Sequence, residues 1–438
     1  MIKIIIIFFF RIGLFLFNNK LRIRALFFIA IFNMTFFNIY STNLMVGGIN
    51  LFYIDLYSFY LILISLWIVG CLIIINLRNF LKFLIFLIII ILYLCFLTIN
   101  IIIFYLIFEI RLLPIFFIIM FGGYTIERVE AIIYILIYTI ISSIPFLWLI
   151  IKFYTDYKRL MIIFIIFKII EVRELYFLIF IFTFIIKIPI FLFHIWLPKA
   201  HVEAPVYGSM ILAGILLKLG RYGILRFIQI LYIDSIKINY ILISLRVVGG
   251  ILIRLICLIQ IDLKILVAYS SVVHIGILMG GLITLTKSGI LGRLIMILAH
   301  GLCSSGLFYL VNLNYECVGR RLIFINKGSL SINPSLGLFW FLLCSSNLSA
   351  PVRLNLIREI FLLIRLVCWN LKLLIIIMIL CFFGAIYSLY LFRFSQHGSN
   401  NNLLINYKII NLMDYLILIL HWLPLNFIFL GLGIFIIN

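Results

Sequence analysis

Apolar runs of about 20 residues follow one another along almost the whole chain, parted only by short polar breaks, and a helix of that length spans about 30 Å of hydrocarbon. The runs fall at 2–17, 22–40, 55–76, 81–98, 101–121, 131–152, 175–196, 208–228, 239–258, 263–284, 288–312, 334–366, 371–393 and 411–436, about fourteen in all. Hydrocarbon offers an exposed amide no partner, so each span is expected to be helical. With 67% hydrophobic and 11% charged residues, the chain has too few polar side chains to cover a soluble globule of 438 residues. The N-terminal MIKIIIIFFF resembles a signal peptide, but no small-residue cleavage site follows and it reads as the first helix. The extended polar segments, 152–174, 313–333 and 394–410, are each too short for a soluble domain. The expectation is one all-α polytopic membrane domain over 1–438.

Several chemistries are argued against by what the spans contain. The eight cysteines, at 71, 95, 257, 303, 317, 344, 368 and 381, form no CxxC and no Cys/His ligand spacing, which speaks against iron–sulfur or zinc sites. Neither GxGxxG nor a P-loop occurs, so nucleotide and redox chemistry belongs to other chains if it matters here. The abundance of Ile, Phe, Asn, Tyr and Lys is what an AT-biased gene encodes, as organelle genomes often do.

Ionisable side chains within these spans cost at least about 2.5–3.5 kcal/mol each on insertion scales and are rarely kept without a task. Glu109 lies in 101–121, Lys187 in 175–196, Lys218 in 208–228, His274 in 263–284 and His300 in 288–312, each near mid-span. In upright helices these groups share a depth and could form a polar line through the bundle, as a proton relay would. Blander readings exist for each. A lysine can snorkel, but Lys187 and Lys218 sit about ten residues from either helix end, beyond the reach of one side chain. Glu109 could be a neutral carboxyl bonded to a neighbouring helix, and His274 and His300 could be packing histidines bonded to carbonyls.

Two spans read as discontinuous. Pro189 follows Lys187 closely, and Pro351 lies between Ser345-Ser346-Asn347 and Asn355, with Glu359 beyond it. Proline deletes a backbone bond and frees carbonyls that must face protein or water. Interrupted helices in corresponding positions point to a transporter site. The interrupted spans are the seventh and twelfth, so the expectation is a five-helix unit used twice, helices 4–8 (81–228) and 9–13 (239–393), preceded by 1–78 and followed by 411–436. An odd number of helices per unit inverts the second copy.

The run HIWLPKAHVEAPVYGSMILAGILLKLG, together with FYLIFEIRLLP (104–114), DLKILVAYSSVVHIG (262–276), LAHGLCSSGLF (298–308), LNLIREI (354–360) and FSQHG (394–398), closely resembles the NADH dehydrogenase subunit 4 family, antiporter-like subunits of mitochondrial complex I. The resemblance runs from about residue 50 to the C-terminus. It implies fourteen helices, two inverted five-helix repeats, broken seventh and twelfth helices, and proton translocation coupled at a distance to quinone reduction in other subunits. It implies an address in the mitochondrial inner membrane, with neighbouring antiporter-like membrane-arm subunits and membrane lipids as partners and no nucleic acid. No cofactor is expected in this chain; flavin, iron–sulfur clusters and ubiquinone belong to partner subunits. Matched by motif, Glu109 corresponds to the family's fifth-helix glutamate, Lys187 to its broken-helix lysine and Lys218 to its eighth-helix lysine. His274 and His300 correspond to its relay histidines, and Glu359 to the twelfth-helix glutamate serving the exit half-channel.

Physics gives these residue types their roles. A carboxylate beside a desolvated lysine favours the ammonium, and withdrawing it favours proton release. A hundredfold change in proton affinity is worth about 2.7 kcal/mol, comparable with the roughly 2.3 kcal/mol needed to move one charge against 100 mV. Two other readings compete: a subunit of a multisubunit cation/proton antiporter, and a passive scaffold whose internal charges only fix helix register.

Arg111, Arg221, Arg254, Arg293, Arg320, Arg358 and Arg393 stand where the family usually has a small or uncharged residue. Some mitochondrial codes read certain arginine codons of the standard code as serine, which would suit these sites. The formal charge of +21 would then be overstated, and it is no argument for nucleic acid or anionic lipid.

Overall fold

The computed structural model describes residues 55–75, 78–123, 125, 127–157, 174–228, 232–284, 286–351, 353–399 and 410–431. The spans read at 2–17 and 22–40 lie outside them. The helices are α1 (Leu56–Ile74), α2 (Asn79–Leu97), α3 (Ile101–Ile110), α4 (Leu112–Gly122), α5 (Arg128–Tyr157), α6 (Glu174–Lys187), α7 (Trp196–Glu203) and α8 (Val206–Ile211). A π-helical turn over Leu212–Leu216 leads into α9 (Leu217–Ile228), then α10 (Tyr232–Ile259), α11 (Leu263–Ile283) and α12 (Lys287–Val318). The short α13 (Ser329–Ile332) precedes α14 (Pro334–Asn347), α15 (Leu354–Trp369), α16 (Leu373–Gln396) and α17 (Leu412–Leu430). Among the described residues, nine helical segments are long and apolar enough to cross a membrane, so this is an all-helical membrane protein.

The axis of the bundle is α12, whose membrane-crossing window is wholly buried. It packs against α1, α8, α11, α14, α15 and α17. Small residues let it be approached closely. A Cβ on Gly301 would lie 2.6 Å from Ile64 Cδ1 and 3.3 Å from Lys218 Cε, so glycine there lets α1 and the Lys218 stem lie against the α12 backbone.

Both proline-bearing spans are broken. The seventh stops at Lys187, loses helical geometry through Pro189 and resumes only at Trp196. It then runs on to Glu203 rather than ending near 196, because Pro198 falls in the first turn, where its missing amide has no intrahelical partner to lose. The twelfth stops at Asn347 and resumes at Leu354. Among the described residues, each break contains one non-glycine residue of positive φ, Leu192 at 85° and Ser349 at 65°, a backbone state that persists only where its surroundings over-determine it. Carbonyls freed by the breaks are met by side chains: Trp196 Nε1 donates to the Ile186 carbonyl at 3.0 Å, and Asn355 Nδ2 donates to that of Ser346.

Two further irregularities were not expected. The span at 101–121 is interrupted at Arg111, three residues before Pro114, which has no amide for the Ile110 carbonyl. In the span at 208–228, the Leu217 amide reaches back five residues to the Leu212 carbonyl, the bonding of a π-turn.

Gly301→Ala should overpack the α1–α12 contact and destabilise the assembled protein by about 1–3 kcal/mol. Gly276→Ala, whose Cβ would meet only the Arg246 carbonyl oxygen at 3.6 Å, should be nearly silent. Thermal denaturation midpoints of the two purified variants check the contrast.

Candidate functional site

All six residues singled out from the sequence lie in the described bundle, and they form two polar groups. In the first, Lys187 is the last residue of α6, where the unpaired carbonyls of a helix C-terminus favour a cation. Its Nζ forms an ion pair with Glu109 Oε1 from α3 and lies 3.8 Å from the centre of the Phe108 ring. Phe104, Phe146, Phe180, Phe184 and Phe227 pack beside them, with Phe180 and Phe227 only 4.3 Å apart. Desolvation by this aromatic wall strengthens the pairing and makes a lone charge expensive. Lys187 is 3% exposed and Glu109 22%.

The second group begins at Lys218 on α9. Because the π-turn sends the Leu217 amide to Leu212, the Ala213 carbonyl is left for the Lys218 ammonium, which donates to it. Lys218 Nζ also lies 3.4 Å from His300 Nδ1. The His300 and His274 rings have centroids 6.0 Å apart, and His274 Nδ1 is 3.5 Å from Glu359 Oε1 on α15. Lys218, His300, His274 and Glu359 therefore follow one another across α9, α12, α11 and α15, with the two imidazoles as neighbouring rings and no direct hydrogen bond between them among the described residues. The link to the first group is apolar: Ile188, beside Lys187, packs on Gly220, where a Cβ would sit 2.7 Å from Ile188 Cγ1.

Sequence reasoning missed Tyr387 on α16. Its hydroxyl lies 3.2 Å from His274 Nε2 and accepts from Asn347 Nδ2 at 2.9 Å, tying His274 to the end of the broken helix. A tyrosine in an apolar span carries little signal by itself; only its buried partners single it out. Asp55 was missed too. It pairs with Arg226, which also donates to Tyr222 Oη at 2.6–2.8 Å.

Of the seven arginines remarked above, Arg320 and Arg393 are exposed and the other five are buried. Arg111 donates to the carbonyls of Phe108 at 2.9 Å and Leu216 at 3.2 Å. Arg358 Nη2 is 3.7 Å from Glu359. Among the described residues, no three His, Cys, Asp or Glu side chains converge as a metal site needs.

A pair of interrupted helices around buried lysines and half-buried glutamates, on an all-helical membrane bundle, defines an ion-translocating membrane subunit. Residues 98–384 match the family model of the NADH:quinone oxidoreductase/Mrp antiporter transmembrane domain, and the chain belongs to that family. It is 48% identical over 322 residues to NADH-ubiquinone oxidoreductase chain 4 of Aedes aegypti, covering 74% of this chain and 72% of that protein. It is 43% identical over 419 residues to the chain 4 of Apis mellifera ligustica, covering 91% and 92%. The fold is shared with a chain of respiratory complex I from Thermus thermophilus, at TM-score 0.84 and 21% identity over 94% of this chain and 92% of that one. It is also shared with a chain of the Mrp complex from Dietzia, at TM-score 0.78 and 16% identity over 86% and 75%.

Glu109→Gln should strand a buried ammonium and destabilise the protein by about 3–5 kcal/mol, the usual result of removing one partner of a buried pair. Adding Lys187→Met should restore most of that. Denaturation midpoints of the single and double variants test it, and a double variant no more stable than Glu109→Gln would contradict the pairing.

Proposed function

We propose that the chain is a proton-translocating, antiporter-like membrane-arm subunit of respiratory complex I, NADH:ubiquinone oxidoreductase. The observation that carries the reading is the succession of neighbouring side chains from Lys218 through His300 and His274 to Glu359. It has the residue types, spacing and burial of a proton relay, with the Glu109–Lys187 pair as a switchable charge beside it. The names of the relatives support assignment to this enzyme, and family membership supports the pumping role.

In this reading Lys187 and Lys218 load from one side of the membrane. His300 and His274 pass the proton on, and Glu359 serves the other side. Separation of Glu109 from Lys187 destabilises the ammonium in its aromatic surroundings, and bridging waters complete the gap across Ile188. Quinone reduction takes place elsewhere, and flavin, iron–sulfur clusters and ubiquinone are held by partner subunits. The full architecture is proposed as about fourteen helices, with inverted repeats at 81–228 and 239–393; the matching breaks, each with one positive-φ residue, support that symmetry. Neighbouring antiporter-like subunits and lipids flank the chain, and the animal relatives support a mitochondrial inner-membrane address.

The Mrp-like fold keeps a cation/proton antiporter subunit as the second reading. Copurification with flavin and iron–sulfur subunits favours complex I, and their absence favours the antiporter.

Lys187→Met fills similar volume without the charge, so the chain should insert normally while coupled turnover nearly disappears. Lys187→Arg should retain little, because guanidinium stays protonated and cannot cycle. Full NADH-to-quinone turnover in Lys187→Met membranes would remove this lysine from the mechanism.

Glu359 separates a relay from a scaffold. Glu359→Gln keeps shape and hydrogen-bonding capacity but cannot take up and release the proton, whereas Glu359→Asp keeps the acid on a stem one carbon shorter. At equal assembly, Asp should retain partial turnover and Gln little. The reverse order would assign Glu359 a packing role.

A further inference from the structure

Three of the largest fully buried side chains in the bundle are arginines, Arg221, Arg293 and Arg358, and Arg246 and Arg254 are each only 3% exposed. A guanidinium presents five N–H donors and cannot shed its charge. Buried donors are almost always bonded, yet among the described residues most nitrogens of these five are not, although Arg246 Nη1 donates to the Met279 carbonyl at 3.0 Å and Arg358 Nε to that of Asn355 at 3.2 Å. All three nitrogens of Arg221 lack a hydrogen-bond partner, as do two each of Arg246, Arg254, Arg293 and Arg358. Arg221 and Arg358 also crowd one another and Lys218 electrostatically, which places fixed positive charge where the relay must gain and lose a mobile one. The backbone around Arg254 is equally close, since a Cβ on Gly384 would fall 2.4 Å from its Nη1.

Other arginines of the same chain behave differently. Arg226 pairs with Asp55, Arg128 Nη1 donates to the Gly123 carbonyl at 2.7 Å, and Arg321 Nη1 donates to that of Val202 at 2.6 Å. Arg128 and Arg226 are half-buried in the first and last turns of their helices and Arg321 is half-buried in the loop after α12, whereas the five lie buried within the bundle, where a charged side chain costs most.

We propose that the protein made in its own membrane carries serine, not arginine, at positions 221, 246, 254, 293 and 358, through a genetic code that reads part of the standard arginine codons as serine. Serine is the residue this bundle already uses in such places. The hydroxyls of Ser270, Ser271, Ser304, Ser305, Ser388 and Ser395 each donate to a carbonyl three or four residues back at 2.6–2.8 Å, so a buried serine is bonded within its own turn. The change lowers the formal charge of +21 by five.

It also bears on the proposed relay, on which this part of the inference rests. A serine has five fewer side-chain heavy atoms than an arginine, which at each site frees room for roughly two waters of about 30 Å3 each. At 221 and 358 that room adjoins Lys218, His300, His274 and Glu359. Lined by polar groups, it suits water rather than a void. These serines would supply the hydration through which the side chains exchange protons.

The test is tandem mass spectrometry of the chain in complex purified from its natural source, read across all eight positions. Serine at 221, 246, 254, 293 and 358, with arginine at 128, 226 and 321, is expected. Arginine at any of the five, or any residue other than serine, would overturn the assignment. The outcome does not depend on pumping, so its failure leaves the proposed function standing. For the hydration, a high-resolution density map of the same complex should carry solvent peaks within hydrogen-bond reach of Lys218 or His274. Guanidinium-shaped density or dry apolar packing there would overturn it.

Discussion

A lysine carried into hydrocarbon has no water to hold its charge, and nearly every irregularity of this bundle near Lys187 answers that constraint. The helix is broken immediately after the lysine, which places its charge at a helix C-terminus, where the helix dipole favours a cation. Glu109 is brought from another helix to pair with it, and Phe108 adds its ring face. Remove any of these and the cost of burial rises. The same dependence makes the site responsive. An ion pair balanced against a large desolvation penalty changes its proton affinity steeply when its geometry changes.

Lys218 meets the constraint by a different route. Among the described residues no carboxylate contacts its ammonium; instead a π-turn one residue earlier releases a backbone carbonyl, and a histidine from α12 lies within reach. Neutral acceptors hold an ammonium less firmly than a carboxylate does. The two lysines of one chain are thus held by different partners and with different strengths.

Both helix breaks are held by side chains that replace lost backbone bonds, Trp196 in one and Asn355 in the other. Within a membrane, irregular backbone is tolerated only where protein or water satisfies it. The breaks are therefore rigid features with defined partners. Tyr387, bonded to both Asn347 and His274, ties the second break to the imidazole of α11.

Among the described residues, the sequence alone located most of the membrane-crossing helices, because a bilayer imposes one length and one polarity on any helix that crosses it. It also determined where the functional side chains had to be sought, since Glu109, Lys187, Lys218, His274, His300 and Glu359 are conspicuous only against an apolar background. Proline marked both breaks for the same local reason. What the linear chain could not express was partnership. Glu109 meets Lys187 across 78 residues and Lys218 meets His300 across 82, through contacts set by how helices pack and not by periodicity. Tyr387, the π-turn at 212–216, the continuation of the broken helix to Glu203 and the division of the arginines into bonded and unbonded sets were decided only there. Each depends on which atoms of distant segments come to lie within about 3 Å of one another, and only tertiary packing sets that.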